Sequence, residues 1–326
     1  MARILWLLFF LPVLWAFPVE AAETNLQKAS FIPHWSPQAQ FAGYYVAHEK
    51  GIYKKYGIDL AILQGGPYSP PLDLLEKGEV DFATMWLSPA IQKRSHGVRL
   101  VNIAQIIQRS ALILVAKKSR GIHKPQDMNG KKVGLWRAEF QIQPMSFFKK
   151  YNLQVKMVPQ SHTVNLFLRD GVDVASAMWY NEYHTILNAG LNPDELTSFF
   201  FQEHGLNFPE DGIYTLERTF KKDPVLSCRF VKASMEGWLY AFSHPEETLS
   251  IVLNHMFRAQ VPANRVHQRW MLERMKDIIL PPGTPYGTLQ ESDYARVAKV
   301  LRDSGLIKKI PDFQSFSIKC PENVEE

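Results

Sequence analysis

Short apolar runs closed by glycine or proline alternate along this chain with longer stretches in which apolar residues recur at helical spacing. The segment 31–63 sets the type. Phe31-Ile32 reads as a strand stopped by Pro33, and Trp35 sits exposed on the turn that follows. Ser36-Pro37 offers an N-cap hydroxyl with proline at the first helical position. The helix it would open carries Phe41, Tyr44, Tyr45 and His48 and stops before Gly51, and 58–63 is a β-branched strand. After a turn-rich loop, Leu72, Leu74 and Leu75 give a helix ended by Gly78, 80–83 a strand, and Ser88-Pro89 a second helix start with the same cap chemistry. Strands follow over 100–105 and 111–116, the second so apolar that both of its faces must be buried.

The polar, turn-rich stretch 117–129 reads as a lobe boundary. Beyond it the pattern predicts a strand over 132–136, a helix over 140–151, a strand over 155–158, a helix over 165–169, a strand over 172–179 and a helix over 182–188. A loop rich in Asn, Pro and Glu leads to a strand at 211–215. From Pro224 onward the periodicity is helical only, with helices over 230–242, from His244-Pro245 to Phe257, over 262–279 and over 293–305. The segments 76–86 and 169–179 echo one another, each running from a helix end through Gly and Val-Asp to Met-Trp. Two copies indicate two lobes of similar build, not a solenoid. The expected class is therefore α/β with mostly parallel sheets.

Composition adds bounds. The 326 residues suffice for two domains, and 46% hydrophobic with 21% charged residues supports a packed core. The net charge of +5 comes from 37 basic residues interleaved with 32 acidic ones, without the basic blocks that nucleic-acid binding needs, so no nucleic-acid partner is expected. Arg3, an apolar run over 4–17 broken by Pro12, and Val19-Glu20-Ala21 read as a signal peptide over 1–21, cleaved near Ala21, which predicts a soluble periplasmic protein. Cys228 and Cys320 suit such a compartment. Sequence alone leaves open whether they pair, because it cannot place their Cα atoms within bonding range.

No HExxH, CxxC, Walker A or GxSxG motif occurs, and His244, His255 and His267 fall in or beside helical stretches without metal-ligand spacing. No cofactor, no metal and no enzymatic activity are expected. What remains are aromatics where strands end: Trp35, Trp86, Trp136 and Trp179 each close a strand or lie just beyond it. In open α/β sheets that is where ligands bind. Asn181-Glu182-Tyr183, directly after Trp179-Tyr180, places a carboxylate beside aromatic rings. Such a pair can stack on a flat heterocycle and accept from its N–H groups. Asp211, starting a strand after a turn, is a second acidic candidate.

These residues resemble the periplasmic substrate-binding proteins of ABC importers, in the group that binds thiamine-pyrimidine precursors, nitrate, taurine and sulfonates. The resemblance is carried by Trp35-Ser36-Pro37 through Gly43-Tyr44-Tyr45-Val46-Ala47, Glu49-Lys50-Gly51-Ile52-Tyr53, Gly57-Ile58-Asp59, Gly78-Glu79-Val80-Asp81-Phe82 and Gly130-Lys131-Lys132-Val133-Gly134. Trp179-Tyr180-Asn181-Glu182-Tyr183 is similar to the pyrimidine-precursor binders, in which the glutamate contacts ligand. The resemblance implies a two-lobe periplasmic binding protein type II fold. Lobe 1 would comprise 22–117 and 212–326, lobe 2 would comprise 118–211, and the two crossover strands would lie at 111–117 and 212–216. C-terminal helices would pack on the first lobe.

It also implies a cleft walled by Trp35, Tyr44, Trp86 and Ser88 on one side and by Trp136, Trp179, Asn181 and Glu182 on the other. The expected partners are a small-molecule ligand and an ABC permease in the inner membrane, with the chain acting as a monomer. A membrane-bound sensor is the alternative partner. A sulfonate, taurine or nitrate is the alternative ligand, with Arg137 or Arg109 as the cation. The resemblance extends to yeast-type pyrimidine synthases, but their lysine position here holds Met85, their histidine position holds Pro89, and no cysteine cluster occurs.

Overall fold

The described residues hold ten strands in two five-stranded sheets, and in each sheet the three inner strands find partners on both edges. The computed structural model describes residues 26–321, so the expected signal peptide lies outside the described residues. The first sheet runs β2 (Ile58–Ile62), β1 (Gln27–Ile32), β3 (Phe82–Met85), β10 (Gly212–Leu216), β4 (Leu100–Gln105). The second runs β7 (Lys156–Pro159), β6 (Lys132–Leu135), β8 (Val174–Met178), β5 (Leu112–Lys117), β9 (Leu196–Phe200).

Each sheet has the same plan. β1 pairs in parallel with β2 and β3, and β10 is antiparallel to both β3 and β4. Likewise β6 is parallel to β7 and β8, while β5 is antiparallel to β8 and β9. In each sheet four strands therefore run one way and a fifth runs against them. The reversed strands, β5 and β10, are the ones that enter directly after the chain crosses between sheets. The expected mostly parallel ladder is thus a mixed one, because a strand arriving from the other lobe enters with the opposite sense. The boundary expected at Lys117 also moves. Residues 112–117 hydrogen-bond to β8 and β9 and belong to the second sheet, and the link lies just before them.

Three local expectations change as well. Ser36-Pro37 does not cap a helix. The chain makes a 3-10 turn at Ala39–Phe41 before helix α1 (Ala42–Glu49), and the Ala39 N–H donates instead to Gln268 Oε1 at 2.7 Å, across 229 residues of sequence. Ser88 lies inside the helix Leu87–Ser95 and makes no capping bond. β9 occupies a stretch read as loop.

The helices after β10 pack mainly on the first sheet. In α2 (Pro224–Ser243), Phe230 stacks on Phe82 with centroids 4.2 Å apart and planes 6° apart, and it also meets Phe31 and Tyr53. α2 and α1 touch through glycines. A Cβ added at Gly43 would lie 2.3 Å from the Trp238 ring, and one at Gly237 would lie 2.3 Å from the Gly43 carbonyl oxygen. The indole is fully buried and cannot swing aside. Gly43→Ala is therefore expected to destabilise the protein by roughly 1–3 kcal/mol, an overpacking cost read as a lower urea midpoint at unchanged m-value. α3 (Pro245–Arg258), α4 (Arg265–Ile279) and α5 (Glu291–Asp303) complete this layer. Cys228 at the start of α2 forms a disulfide with Cys320 in the C-terminal tail, which closes the pairing question.

Candidate functional site

The ends of β1, β3, β6 and β8 converge on a cleft of about 730 Å³ between the sheets, lined by residues of both lobes. Its walls are aromatic. Trp35 follows β1, Trp86 follows β3, Trp136 follows β6, and Phe140, Met178, Tyr180, Val261 and Pro262 complete the apolar lining. The two sides already touch. Trp86 meets Phe140 edge-on at 4.9 Å, and Trp35 meets His162 at 5.3 Å. The Trp136 indole N–H donates to the Ser161 carbonyl at 3.0 Å, which fixes its ring, whereas the buried Trp86 indole N–H has no acceptor among the described residues.

Glu182 opens the helix Glu182–Asn188 and lines the cleft. Its Oε2 accepts from the Met178 backbone N–H at 2.9 Å and its Oε1 from Asn181 Nδ2 at 3.0 Å. Burial pushes its pKa up to about 7, partly offset by the backbone hydrogen bonds. Among the described residues no Lys, Arg or His forms an ion pair with it. The carboxylate therefore keeps acceptor capacity toward the cleft. Arg137 also lines the cleft but is exposed, and Arg109 is not part of the lining.

Of the nine residues singled out in the sequence, the cleft gathers Trp35, Trp86, Trp136, Asn181 and Glu182. The other four lie outside its lining. Tyr44 is buried in the first lobe's core, 4.6 Å from the Phe31 ring and 5.9 Å from that of Trp238, because the helix turns this position toward its own sheet. Ser88 is buried within its helix. Trp179 sits between Met178 and Tyr180, both of which line the cleft. Its ring instead meets Phe200 edge-on at 5.5 Å and lies under Arg274 at 5.2 Å.

Asp211 stands one layer behind the cleft wall. Its Oδ1 is 3.0 Å from His34 Nδ1, and its Oδ2 accepts from Gln40 Nε2 at 2.8 Å. Both partners line the cleft, so this buried carboxylate orients the wall without facing it. His34, Gln40, Phe140, Gln160, His162 and Tyr180 were not singled out from the sequence. Only His34 and Tyr180 carried a usable signal there, as neighbours of the strand-end tryptophans. Among the described residues no cluster of three or more His, Cys, Asp or Glu is placed to hold a metal ion, and no helix is long and apolar enough to cross a membrane.

Residues 38–248 match the family model described as NMT1/THI5 like. The chain belongs to the NMT1/THI5-like family. Riboflavin-binding protein RibY of Chloroflexus aurantiacus is 22% identical over 316 residues, an alignment covering 92% of this chain and 87% of that protein. The 4-amino-5-hydroxymethyl-2-methylpyrimidine phosphate synthase THI12 of Saccharomyces cerevisiae is 26% identical over 152 residues, covering 46% of this chain and 43% of the enzyme. Among solved structures, the periplasmic aliphatic sulphonate binding protein SsuA of Escherichia coli superposes with a TM-score of 0.68 at 15% identity, covering 88% of this chain and 96% of SsuA. The fold is that of the periplasmic binding proteins.

Proposed function

We propose that this chain is the solute-binding component of an ABC importer and that its cleft clamps a flat nitrogen heterocycle. The observation that carries the ligand class is Glu182: an acceptor without a cationic partner, set among Trp35, Trp86, Trp136 and Tyr180. Stacked rings take the faces of a planar ring system, and a carboxylate takes its amino or imide N–H groups. A free anion would meet this carboxylate with only exposed Arg137 to offset it, which disfavours a sulfonate or nitrate. A cleft of about 730 Å³ exceeds the needs of a single pyrimidine ring and leaves room for a larger heterocycle. The likeness to RibY supports that end of the range, and the likeness to the pyrimidine phosphate synthase supports the smaller end.

Delivery follows from the two-lobe build. The open form admits ligand, closure removes water from between the aromatic faces, and the closed form is the one presented to an inner-membrane permease. Export to the periplasm agrees with the disulfide, since such bonds persist in oxidising compartments. The departures at Met85 and Pro89 support binding without turnover.

Isothermal titration with riboflavin, with 4-amino-5-hydroxymethyl-2-methylpyrimidine and with taurine tests the ligand class. One of the two heterocycles is expected to bind, and Glu182→Ala to weaken it by about 2–3 kcal/mol, the cost of losing hydrogen bonds to a charged group. Taurine binding with neither heterocycle bound, or an affinity unmoved by Glu182→Ala, would overturn it.

A further inference from the structure

Helix α4 belongs to the first lobe by its packing but reaches the second. Its first-lobe anchorage is buried: Gln268 Oε1 holds the Ala39 N–H. One residue earlier, His267 projects toward the helix Glu182–Asn188 of the second lobe. There its Nδ1 lies 2.9 Å from His184 Nδ1, and its Nε2 lies 2.8 Å from Asn181 Oδ1. A turn further along, Trp270 stacks on His184 with planes 7° apart and centroids 4.8 Å apart, and donates its indole N–H to the Trp179 carbonyl at 3.2 Å. Three side chains of one lobe, His267, Trp270 and Arg274, thus grip the segment 179–184 of the other.

The chain of hydrogen bonds fixes its own protons. Asn181 Nδ2 donates to Glu182, so Asn181 Oδ1 must accept, and His267 Nε2 must carry a hydrogen. With both imidazoles neutral, His267 Nδ1 then accepts and His184 Nδ1 donates, which asks Asn188, whose side-chain amide lies 3.3 Å from the same His184 nitrogen, to present its oxygen there. A first added proton can be absorbed, because a doubly protonated His267 donates to His184 once that ring changes tautomer. A second cannot, because two N–H groups would then face each other across 2.9 Å.

We propose that His267 and His184 form a proton-counted latch between the lobes, which biases the cleft toward its closed form and keeps Asn181 turned toward Glu182 only while the pair carries at most one added proton. The role toward Glu182 rests on the ligand reading above; the latch itself does not. The groups facing it are few. Glu182 and Tyr183 come from the same helix as His184, and Arg274, held by Asp277, comes from α4. Arg265 and Arg269 are engaged by Glu246 on α3. Burial holds both histidines below the ordinary imidazole range, and His184 lowers His267 further. The sign follows from linkage. A histidine depressed in the latched form favours that form above its unlatched pKa of about 6.5, and the preference is lost as pH falls from there toward the depressed value.

Small-angle X-ray scattering of the ligand-free protein from about pH 8 to about pH 5 tests this without any ligand, and so separately from the function proposed above. The radius of gyration is expected to rise as pH falls below about 6 while far-UV dichroism stays constant. His267→Gln keeps an Nε donor for Asn181 but cannot titrate, and the step is expected to vanish in it. A radius that is flat with pH in the parent protein, a step that survives in His267→Gln, or a step accompanied by loss of dichroism would each overturn the latch.

Discussion

Replacing both Cys228 and Cys320 by alanine is expected to cost about 4–5 kcal/mol of stability, the chain-entropy value for a loop of this length. The two residues are 92 apart in sequence, so the bridge removes far more freedom from the unfolded chain than one closing a short turn. What it closes is the whole C-terminal block after the start of α2, including α3, α4 and α5. The tail near the bridge is not held by the disulfide alone. Phe316 is fully buried against Tyr214 and Tyr294, and the Ile318 N–H donates to the Asn102 carbonyl at 2.9 Å. The double variant should therefore fold, with its urea midpoint lowered and its ligand affinity retained, since neither cysteine lines the cleft. A loss under about 1 kcal/mol would mean that the unfolded chain is already restrained near these residues.

The pairing itself could not be read from the sequence, and the reason applies more widely. Periodicity reports which residues are buried, not against what. The run at 112–117 was legible as a strand buried on both faces, yet whether it finished the first sheet or began the second depends on hydrogen bonds to β8 and β9, which are set by the crossing. β9 was missed because Asn192, Pro193 and Asp194 ahead of it and Gly205 after it give the stretch a loop's composition. The cap read at Ser36-Pro37 failed because a residue 229 positions away supplies the acceptor for Ala39.

The site divided in a similar way. Strand-end tryptophans were legible as a set, since the carboxyl ends of strands in such sheets face the crevice. Tyr44 misled because helical spacing places it beside the candidate turn in sequence while its ring points into the core. Trp179 misled because strand alternation sends neighbours to opposite faces, so Met178 and Tyr180 reach the cleft and Trp179 does not. Residues such as Phe140, Gln160 and His162 carried no local signal. They join the cleft only because the second lobe closes over the first.

Glu210→Ala is expected to destabilise the protein by roughly 2–5 kcal/mol, whereas Glu210→Gln at about pH 8 should be neutral or stabilising, because of how this carboxyl is buried. Its Oε1 accepts from the backbone N–H groups of Ala111 and Leu112 at 2.6 and 3.1 Å and from Ser110 Oγ at 3.2 Å, and its own carbonyl accepts from Gln105 Nε2 at 2.5 Å. One residue thus ties the end of β4, the entry to β5 and the entry to β10, which are both crossings between the lobes. Alanine would leave two buried N–H groups without acceptors at that junction. Glutamine would keep the acceptor and remove the charge.

Removing that charge matters because Oε2 has no partner among the described residues, and burial together with neighbouring Asp211 pushes the carboxyl up to about 8. A carboxyl whose folded pKa lies above its unfolded one stabilises fully below the unfolded value and loses that contribution as pH rises through the folded one. Stability of the parent protein should therefore fall between about pH 5 and about pH 8, with Glu182 adding to the slope over the lower part of that range. In Glu210→Gln the Glu182 share should remain and the Glu210 share should disappear. Urea midpoints of the two proteins across that range separate the shares, and parallel curves would mean that Glu210 titrates where an exposed carboxyl does. Because this carboxyl fastens both crossings at once, the alanine variant should also widen the distribution of lobe angles in the ligand-free protein. The glutamine variant, with the same backbone acceptor in place, should not.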